Sequence, residues 1–571
     1  MHRRFSAAAL ALAIGLAGGC TPARSWVATG TQAMVASGSI YASQAGVEIL
    51  RAGGNAFDAA AAVSFALAVA RPESTGLGGG GFLIARLAGD GRIVLLDFRE
   101  TAPAGATPDM YVEARGGDAA GPPPSRYGHL AVAVPGLLAG RVQMLEAYGT
   151  RSLAEVLAPA IRLAREGFEV DQHYVKACAE VLERYREYPR LVDSCGHVYR
   201  VHLREGALRR PGDRLVQPEL ARLLEAIATE EAEFFYRGPV AAAIEREMRA
   251  HGGIVRAGDL AAYRVAANRR PIVSTYRGYT VIGMPPPSSG GICLAQALNI
   301  LETVDLPGIW QRYPSLGQHY VIEALKHAFA DRARWLGDSD FTAVPVRLLT
   351  SKTYARQLAR GIGPLRCQDV DTYGADVIPD DAGTSHFCVV DRWGNYLVST
   401  ETINTSFGSL AAVGEWGLIL NNEMDDFAAE PGRGNAYGLV QSARNAVAPG
   451  KRPLSSMSPT IVLRNDQPYL LLGASGGPRI ISSVLNVLLG VTDFGRSLPQ
   501  ATEALRVHHQ WRPDEVFWDR SPPDSLVRDL TARGHRISEQ RRTGAVQAIL
   551  VDGTGLIGTS DLRKGGVPLG H

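Results

Sequence analysis

Cysteine is scarce, with six in 571 residues and no two spaced as C-x-x-C. Zinc-ribbon and dithiol redox readings therefore have no support. Beyond Cys20, five thiols remain (Cys178, Cys195, Cys293, Cys367 and Cys388), an odd number that leaves at least one unpaired in an exported chain. Cys178 and Cys195 are near enough to close a loop, which spacing alone does not establish, and isolated buried thiols are expected. An excess of one charge is also missing: 59 Lys+Arg against 57 Asp+Glu leave +2, no electrostatic case for nucleic acid as principal partner. Internal repeats and low-complexity linkers are absent, and the composition excludes disorder, collagen, coiled coil and polytopic membrane protein as the main class. What is present is ordinary globular material, 46% hydrophobic and 20% charged. Glycine is high at 63 residues, about 11% against an average near 7%, so tight turns and backbone-lined sites are expected. A prior of about 150 residues per domain allows three or four domains, although large layered α/β folds run longer as one unit.

The N-terminus reads as a targeting segment. His2, Arg3 and Arg4 precede an apolar run over residues 7–19, about 13 residues where a spanning helix needs about 20. That pattern is a secretory signal over residues 1–19. It ends Leu16-Ala17-Gly18-Gly19-Cys20, a loose bacterial lipoprotein box with Cys20 as lipidation candidate. Export to the periplasm is expected, as an anchored lipoprotein or released.

Helical patterns dominate before about residue 380. Residues 42–50, 56–70, 153–166, 218–228 and 320–336 carry apolar faces, and short strands are expected at 82–86 and 93–97. After residue 384 strands take over, at 387–391, 396–402, 460–463 and 468–472, with one apolar helix at 480–489. The break at Ile378-Pro379-Asp380-Asp381-Ala382-Gly383 is polar and turn-prone, an exposed junction.

Three motifs need weighing. Gly76-Leu77-Gly78-Gly79-Gly80-Gly81 satisfies G-x-G-x-x-G, but a helix precedes it and a strand follows. A dinucleotide fingerprint needs the reverse order, so a close-packed turn is the better account. Gly473-Ala474-Ser475-Gly476-Gly477 fits the nucleophile elbow between a strand and a helix, with Asp493, Asp514, His508 and His509 as later partners. Only roughly 100 residues follow Ser475, short for the remainder of an α/β-hydrolase. The two glycines have another use, as close-set N–H donors to an oxyanion. His508-His509 raises a metal check, but neighbours on a strand point to opposite faces, so structural histidines are expected.

The informative stretch is Gly383-Thr384-Ser385-His386. A threonine hydroxyl is a weak nucleophile without an adjacent base. Cleavage before Thr384 would create that base, an α-amine with a pKa of about 7.7–8.0. Gly383 carries no side chain, which lets the hydroxyl reach the preceding carbonyl and drive the cut.

From these residues the chain resembles the γ-glutamyltranspeptidases, N-terminal-nucleophile hydrolases made as self-cleaving precursors. The likeness runs from about Val35 to Arg563. It rests on Gly53-Gly54-Asn55-Ala56-Phe57-Asp58-Ala59-Ala60, Gly78-Gly79-Gly80-Gly81-Phe82, Asp97-Phe98-Arg99-Glu100 and Met284-Pro285-Pro286-Pro287-Ser288-Ser289-Gly290-Gly291. After the junction it rests on Thr384-Ser385-His386, Thr402-Ile403-Asn404, Asn421-Asn422-Glu423-Met424-Asp425-Asp426-Phe427, Arg452-Pro453-Leu454-Ser455-Ser456-Met457-Ser458-Pro459 and Ser475-Gly476-Gly477. Cys388 and Leu562 depart from the usual family residues, at positions without an assigned catalytic role.

The resemblance implies a four-layer αββα sandwich. It implies a large subunit of residues 20–383 and a small subunit of residues 384–571, held as a heterodimer because each sheet needs strands from both. Thr384 would be the nucleophile, oriented by Thr402, with Gly476 and Gly477 as oxyanion donors. Arg99, Ser455 and Ser456 would hold the substrate α-carboxylate; Asn404, Glu423 and Asp426 its α-ammonium; Tyr437 would belong to a lid. The activity implied is cleavage of the γ-glutamyl amide of glutathione and related donors, with transfer to water or to an amino acid or peptide amine, and no cofactor or metal. The chemistry agrees: Arg99 can grip a carboxylate bidentately, and two acids suit an ammonium. Alternatives are a glutaryl (cephalosporin-type) acylase on the same fold, a serine amidase or esterase using Ser475, and a self-processed envelope protein without turnover.

Overall fold

The structure, a computed structural model, describes residues 25–115, 121–372, 383–428, 442–553 and 555–571. Apolar side chains alternating along extended segments build two antiparallel sheets. In chain order their strands are β1 (Val27–Gly30), β2 (Met34–Ser37), β3 (Gly80–Arg86), β4 (Ile93–Phe98), β5 (Ile272–Tyr276), β6 (Tyr279–Gly283), β7 (Thr384–Val390), β8 (Tyr396–Thr402), β9 (Thr460–Arg464), β10 (Gln467–Ser475), β11 (Ala545–Asp552), β12 (Gly555–Ser560) and β13 (Leu569–Gly570). One sheet runs β1-β12-β11-β10-β9-β6-β5 and the other β13-β2-β7-β8-β3-β4. Each sheet draws strands from both sides of Gly383–Thr384, so the two halves of the chain share both sheets.

The sheets stack face to face. Along β7, Phe387 and Val389 face one core while Cys388 and Val390 face the other, the period of two that a strand imposes. Helices α1 (Ile40–Arg51), α2 (Ala56–Ala70), α3 (Leu137–Tyr148), α4 (Leu153–Glu166), α5 (Pro218–Tyr236) and α6 (Pro239–Ala250) lie on the six-stranded side. Helices α7 (Gly290–Leu301), α8 (Pro314–Trp335) and α9 (Arg479–Thr492) cover the seven-stranded sheet. The result is the expected αββα sandwich. All of α2 is buried, and its start is fixed by a reciprocal cap. Asn55 Oδ1 accepts from Phe57 N (2.8 Å) and Asp58 N (3.1 Å), and Asp58 Oδ2 accepts from Asn55 N (2.8 Å). Such a capping box satisfies N–H groups that a helix start leaves open, which explains the Asn55-to-Asp58 part of the motif.

Several boundaries differ from the sequence reading. Strand β7 begins at Thr384 rather than 387, because its polar Thr-Ser-His start is fully incorporated into the ladder. Helix α5 continues past 228 to Tyr236 through a break at Glu231, and α8 starts at Pro314, where proline suits the first turn. All five cysteines from Cys178 onward are free, so the Cys178–Cys195 loop is not closed; four are buried and Cys367 is half-buried. Among the described residues no single helix is long and apolar enough to cross a membrane.

Candidate active site

Antiparallel pairing of β7 with β8 sets Thr402 directly opposite Thr384. Opposed residues share a face of the sheet, and the two hydroxyls lie 3.2 Å apart. Both also donate to the carbonyl of Gly383, Thr384 Oγ1 at 2.7 Å and Thr402 Oγ1 at 2.9 Å. Asn404 N donates to Thr402 Oγ1 (2.7 Å), which leaves the Thr402 proton to point at Gly383 O. Gly383 is required here by space. A Cβ would come within 2.8 Å of the carbonyls of both Glu73 and Thr405. Gly79 plays the same part behind Thr402, whose carbonyl a Cβ would meet at 2.0 Å. The glycine-rich stretch is thus the close-packed turn that the sequence suggested.

Gly476 and Gly477 follow β10 with φ of +126° and +56°, the region where L side chains are strained. Gly476 lines a cavity of about 600 Å³ that also reaches Gly383, Thr384 and Ser475. Among the described residues no histidine is hydrogen-bonded to Ser475. His508 is engaged by Ser482 (2.7 Å) and Gln510 (3.0 Å), and His509 by Asp514 (3.2 Å) and Trp511 N (2.9 Å). Burial pushes His508 down to about 3 and lowers His509 as well. They are structural histidines, as expected.

Arg99 follows β4 and is fully buried. Its guanidinium is held by Glu423, by Asp426 Oδ2 (2.5 Å) and by Glu100 Oε2 (3.4 Å), and its Nε donates to Pro453 O (3.3 Å). The residues expected to grip opposite ends of a zwitterion are therefore brought together and neutralise one another. Three carboxyls around one guanidinium leave an excess of acid. Burial raises Glu423 well above the ordinary carboxylate range, assisted by Glu100 and Asp426, and raises Asp426. It pushes Glu100 up to about 7. Glu423 Oε2, Glu100 Oε1 and Arg332 Nη1 are buried without a hydrogen-bond partner among the described residues. Buried polar groups are ordinarily paired, so three unpaired atoms about one cluster mark capacity to bind something polar.

Asn404 sits at the end of β8 with φ +74° and donates through Nδ2 to Asn422 O (2.9 Å). Ser456 Oγ accepts from Arg332 Nη2 (3.3 Å), while Ser455 Oγ accepts from Met457 N (3.1 Å). Tyr437, Cys20 and residues 1–19 lie outside the described residues.

Two cations escaped the sequence reading. Lys564 is buried, and its Nζ donates to Thr384 O and to Ser385 Oγ (3.1 Å). Burial pushes it down to about 7, against an opposing pull from Glu73. Arg332 is buried in α8, with Nε on Ser289 Oγ (3.0 Å) and Nη2 on Ser456. Nothing in their neighbourhood marks either one, because a charged residue in an amphipathic or polar stretch reads as solvated surface.

A family model for gamma-glutamyltranspeptidase matches residues 42–571. The glutathione hydrolase proenzyme of Escherichia coli (strain K12) is 42% identical over 539 residues, covering 93% of this chain and 90% of that protein. The acylase ACY 1 proenzyme of Pseudomonas sp. (strain V22) is 38% identical over 552 residues, 95% of this chain and 94% of that protein. Among solved structures, the cephalosporin acylase of Bacillus halodurans superposes with a TM-score of 0.84 at 30% identity, over 98% of this chain and 99% of that one. With its sandwich, its Thr384–Thr402 pair at the sheet end and a match over nearly its whole length, this chain belongs to the gamma-glutamyltranspeptidase family.

Proposed function

We propose that this protein is a self-processing γ-glutamyltransferase and glutathione hydrolase that works through a γ-glutamyl-threonine ester. The observation that carries the reading is the placement of the Thr384 and Thr402 hydroxyls on the Gly383 carbonyl. In self-cleavage, Thr384 Oγ attacks the Gly383 carbonyl carbon, and the oxygen that gains negative charge is the one already bonded by Thr402 Oγ–H. Collapse breaks the C–N bond, moves the acyl group to Oγ as an ester, and frees the Thr384 amine, whose nitrogen receives the proton that Oγ gave up. Water then hydrolyses the ester, leaving a carboxylate on Gly383 and separating residues 20–383 from residues 384–571.

In turnover the free amine takes the Thr384 hydroxyl proton while Oγ attacks the γ-amide carbonyl. Gly476 and Gly477 N–H groups would hold the oxyanion. The proton passes to the leaving amine, cysteinylglycine when glutathione is the donor, and water or an amino acid or peptide amine then takes the γ-glutamyl group. Donor binding would exchange internal ion pairs for external ones. The substrate carboxylate would take Arg99 with Ser455 and Ser456, and the ammonium would take Glu423 and Asp426 with Asn404. The cavity beside Thr384 is lined by Lys176, Arg541, Arg542, Arg563 and Lys564 together with Glu503, Asp519 and Asp561, and such a charged lining suits a polar leaving group or acceptor.

The acylase-named relatives sustain a second reading, a glutaryl acylase. Against it stand the two buried carboxyls Glu423 and Asp426 beside Arg99, for which a donor without an amine offers no ammonium partner. Purified enzyme assayed on γ-glutamyl-p-nitroanilide and glutaryl-p-nitroanilide separates the two; faster release from the glutaryl substrate would overturn the γ-glutamyl reading. In this reading residues 1–19 are an export signal, the protein is periplasmic, Cys20 is the candidate for lipidation, and the two fragments stay together as a heterodimer.

A further inference from the structure

Away from Thr384, histidine and carboxylate side chains converge at two places among the described residues. At the first, His319 Nδ1 and His535 Nε2 lie 2.8 Å apart, His319 Nε2 faces Gly363 O at 3.0 Å, and Glu323 is taken by Lys326 Nζ (2.9 Å) and Gln368 N (3.1 Å). Ordinary hydrogen bonds account for every group. Two nitrogens at that distance are also too close to share an ion, because bonds of about 2.0–2.1 Å in a tetrahedron hold ligand atoms about 3.3–3.4 Å apart.

The second place is different. Glu247 lies in the last turn of α6, and His251 follows one turn later, so they share a face. His129 comes from the short turn His129–Ala131. His129 Nε2 and His251 Nε2 stand 3.3 and 3.6 Å from the same oxygen, Glu247 Oε1. The rings stack with centroids 4.7 Å apart and planes at 26°. A charge-assisted N–H···O bond is about 2.7–2.9 Å, and 3.6 Å is no hydrogen bond at all. The His251 contact is therefore not a hydrogen bond, and both separations, the 3.3 Å hydrogen bond of His129 included, are close to the edge of a metal tetrahedron. His129 is buried, whereas Glu247 and His251 face a cavity of about 490 Å³ whose walls include His197, Cys195 and Asp193. That opening provides an entry path and room for water as a fourth ligand.

We propose that His129, Glu247 and His251 bind a divalent transition-metal ion, with zinc the natural choice for a two-imidazole, one-carboxylate set. The ion takes no part in the chemistry at Thr384. It ties α6 to a segment that braces the substrate pocket: Asn421 Oδ1 accepts from both Ala133 N (3.0 Å) and Glu423 N (2.9 Å), and Asn421 Nδ2 returns a bond to Ala133 O (2.8 Å).

The test is a zinc chloride titration of untagged, chelator-stripped mature protein, competed against a chromophoric chelator. One equivalent taken up by the wild type, weakened at least about tenfold in both Glu247→Gln and His251→Gln and unchanged in His319→Gln, supports the site. Cobalt substitution should give visible absorption bands that both cluster variants lose. Glu247→Gln preserves size and His251 is part-exposed, so circular dichroism can verify that each variant is folded. Failure of the wild type to take up an equivalent, or uptake equal in the two cluster variants, would overturn the proposal.

Discussion

The acid excess around Arg99 makes a prediction about substrate choice. In Asp426→Asn the shape of the pocket is kept, and Arg99 remains neutralised by Glu423 and Glu100. What is lost is one charged acceptor for the donor's α-ammonium. A hydrogen bond to a charged group contributes about 1.5–3 kcal/mol, so kcat/KM on γ-glutamyl-p-nitroanilide should fall about 10- to 150-fold at about 1.4 kcal/mol per tenfold. Glutaryl-p-nitroanilide has the same carboxylate and the same scissile amide but no amine. Its kcat/KM should stay within about threefold, equivalent to about 0.7 kcal/mol. The assay is initial-rate kinetics on both substrates with wild type and variant, after a gel has shown that both are fully processed. A parallel fall on the two substrates would show that Asp426 acts through general structure and would refute the ammonium assignment.

Other outcomes follow from the same geometry. Thr402→Ala removes the donor aimed at Gly383 O and should slow self-cleavage by about 10²–10³, the usual cost of an oxyanion donor, while Thr402→Ser should process nearly normally; time-resolved gels decide. Ser475→Ala should keep activity within about threefold, since no histidine engages that hydroxyl and a change that small is worth under about 1 kcal/mol; a dead variant would revive the serine-hydrolase reading. Lys564 is depressed from 10.5 to about 7 in the fold, so between those values the unfolded chain holds a proton that the folded one does not. Stability from this group therefore rises as pH climbs from about 7 toward 10.5 and is at its minimum below 7. Lys564→Met should flatten the rise of Tm across pH 7–9.5 in scanning calorimetry, and an unchanged slope would count against the buried-cation account.

How much was legible in the sequence depends on the kind of residue. Strand β8 and helices α2 and α4 have the bounds that the sequence predicts: α2 is almost wholly apolar, and α4 carries an apolar face behind a Ser152 capping box. The start of strand β7 is hidden from its pattern because its first three residues are polar yet buried, the conflict expected where a strand carries a reactive group. Thr384 stood out through its junction and its preceding glycine. The partnership of Arg99 with Glu423 and Asp426 spans more than three hundred positions and was reachable only through family resemblance. Even that implied separate duties at two ends of a substrate, where the structure shows mutual pairing. Lys564 and Arg332 were missed for the opposite reason: a lysine or arginine is normally solvated, and only the fold reveals that these two are buried.

The central claim is that Thr384 cuts the chain before itself and becomes the nucleophile. Purified wild type and Thr384→Ala, run on a denaturing gel with N-terminal sequencing of the smaller fragment, test it most directly. Two wild-type bands, the smaller starting Thr384-Ser385-His386, with the variant uncut, are the predicted result. Cleavage at another bond, or normal processing of Thr384→Ala, would contradict it.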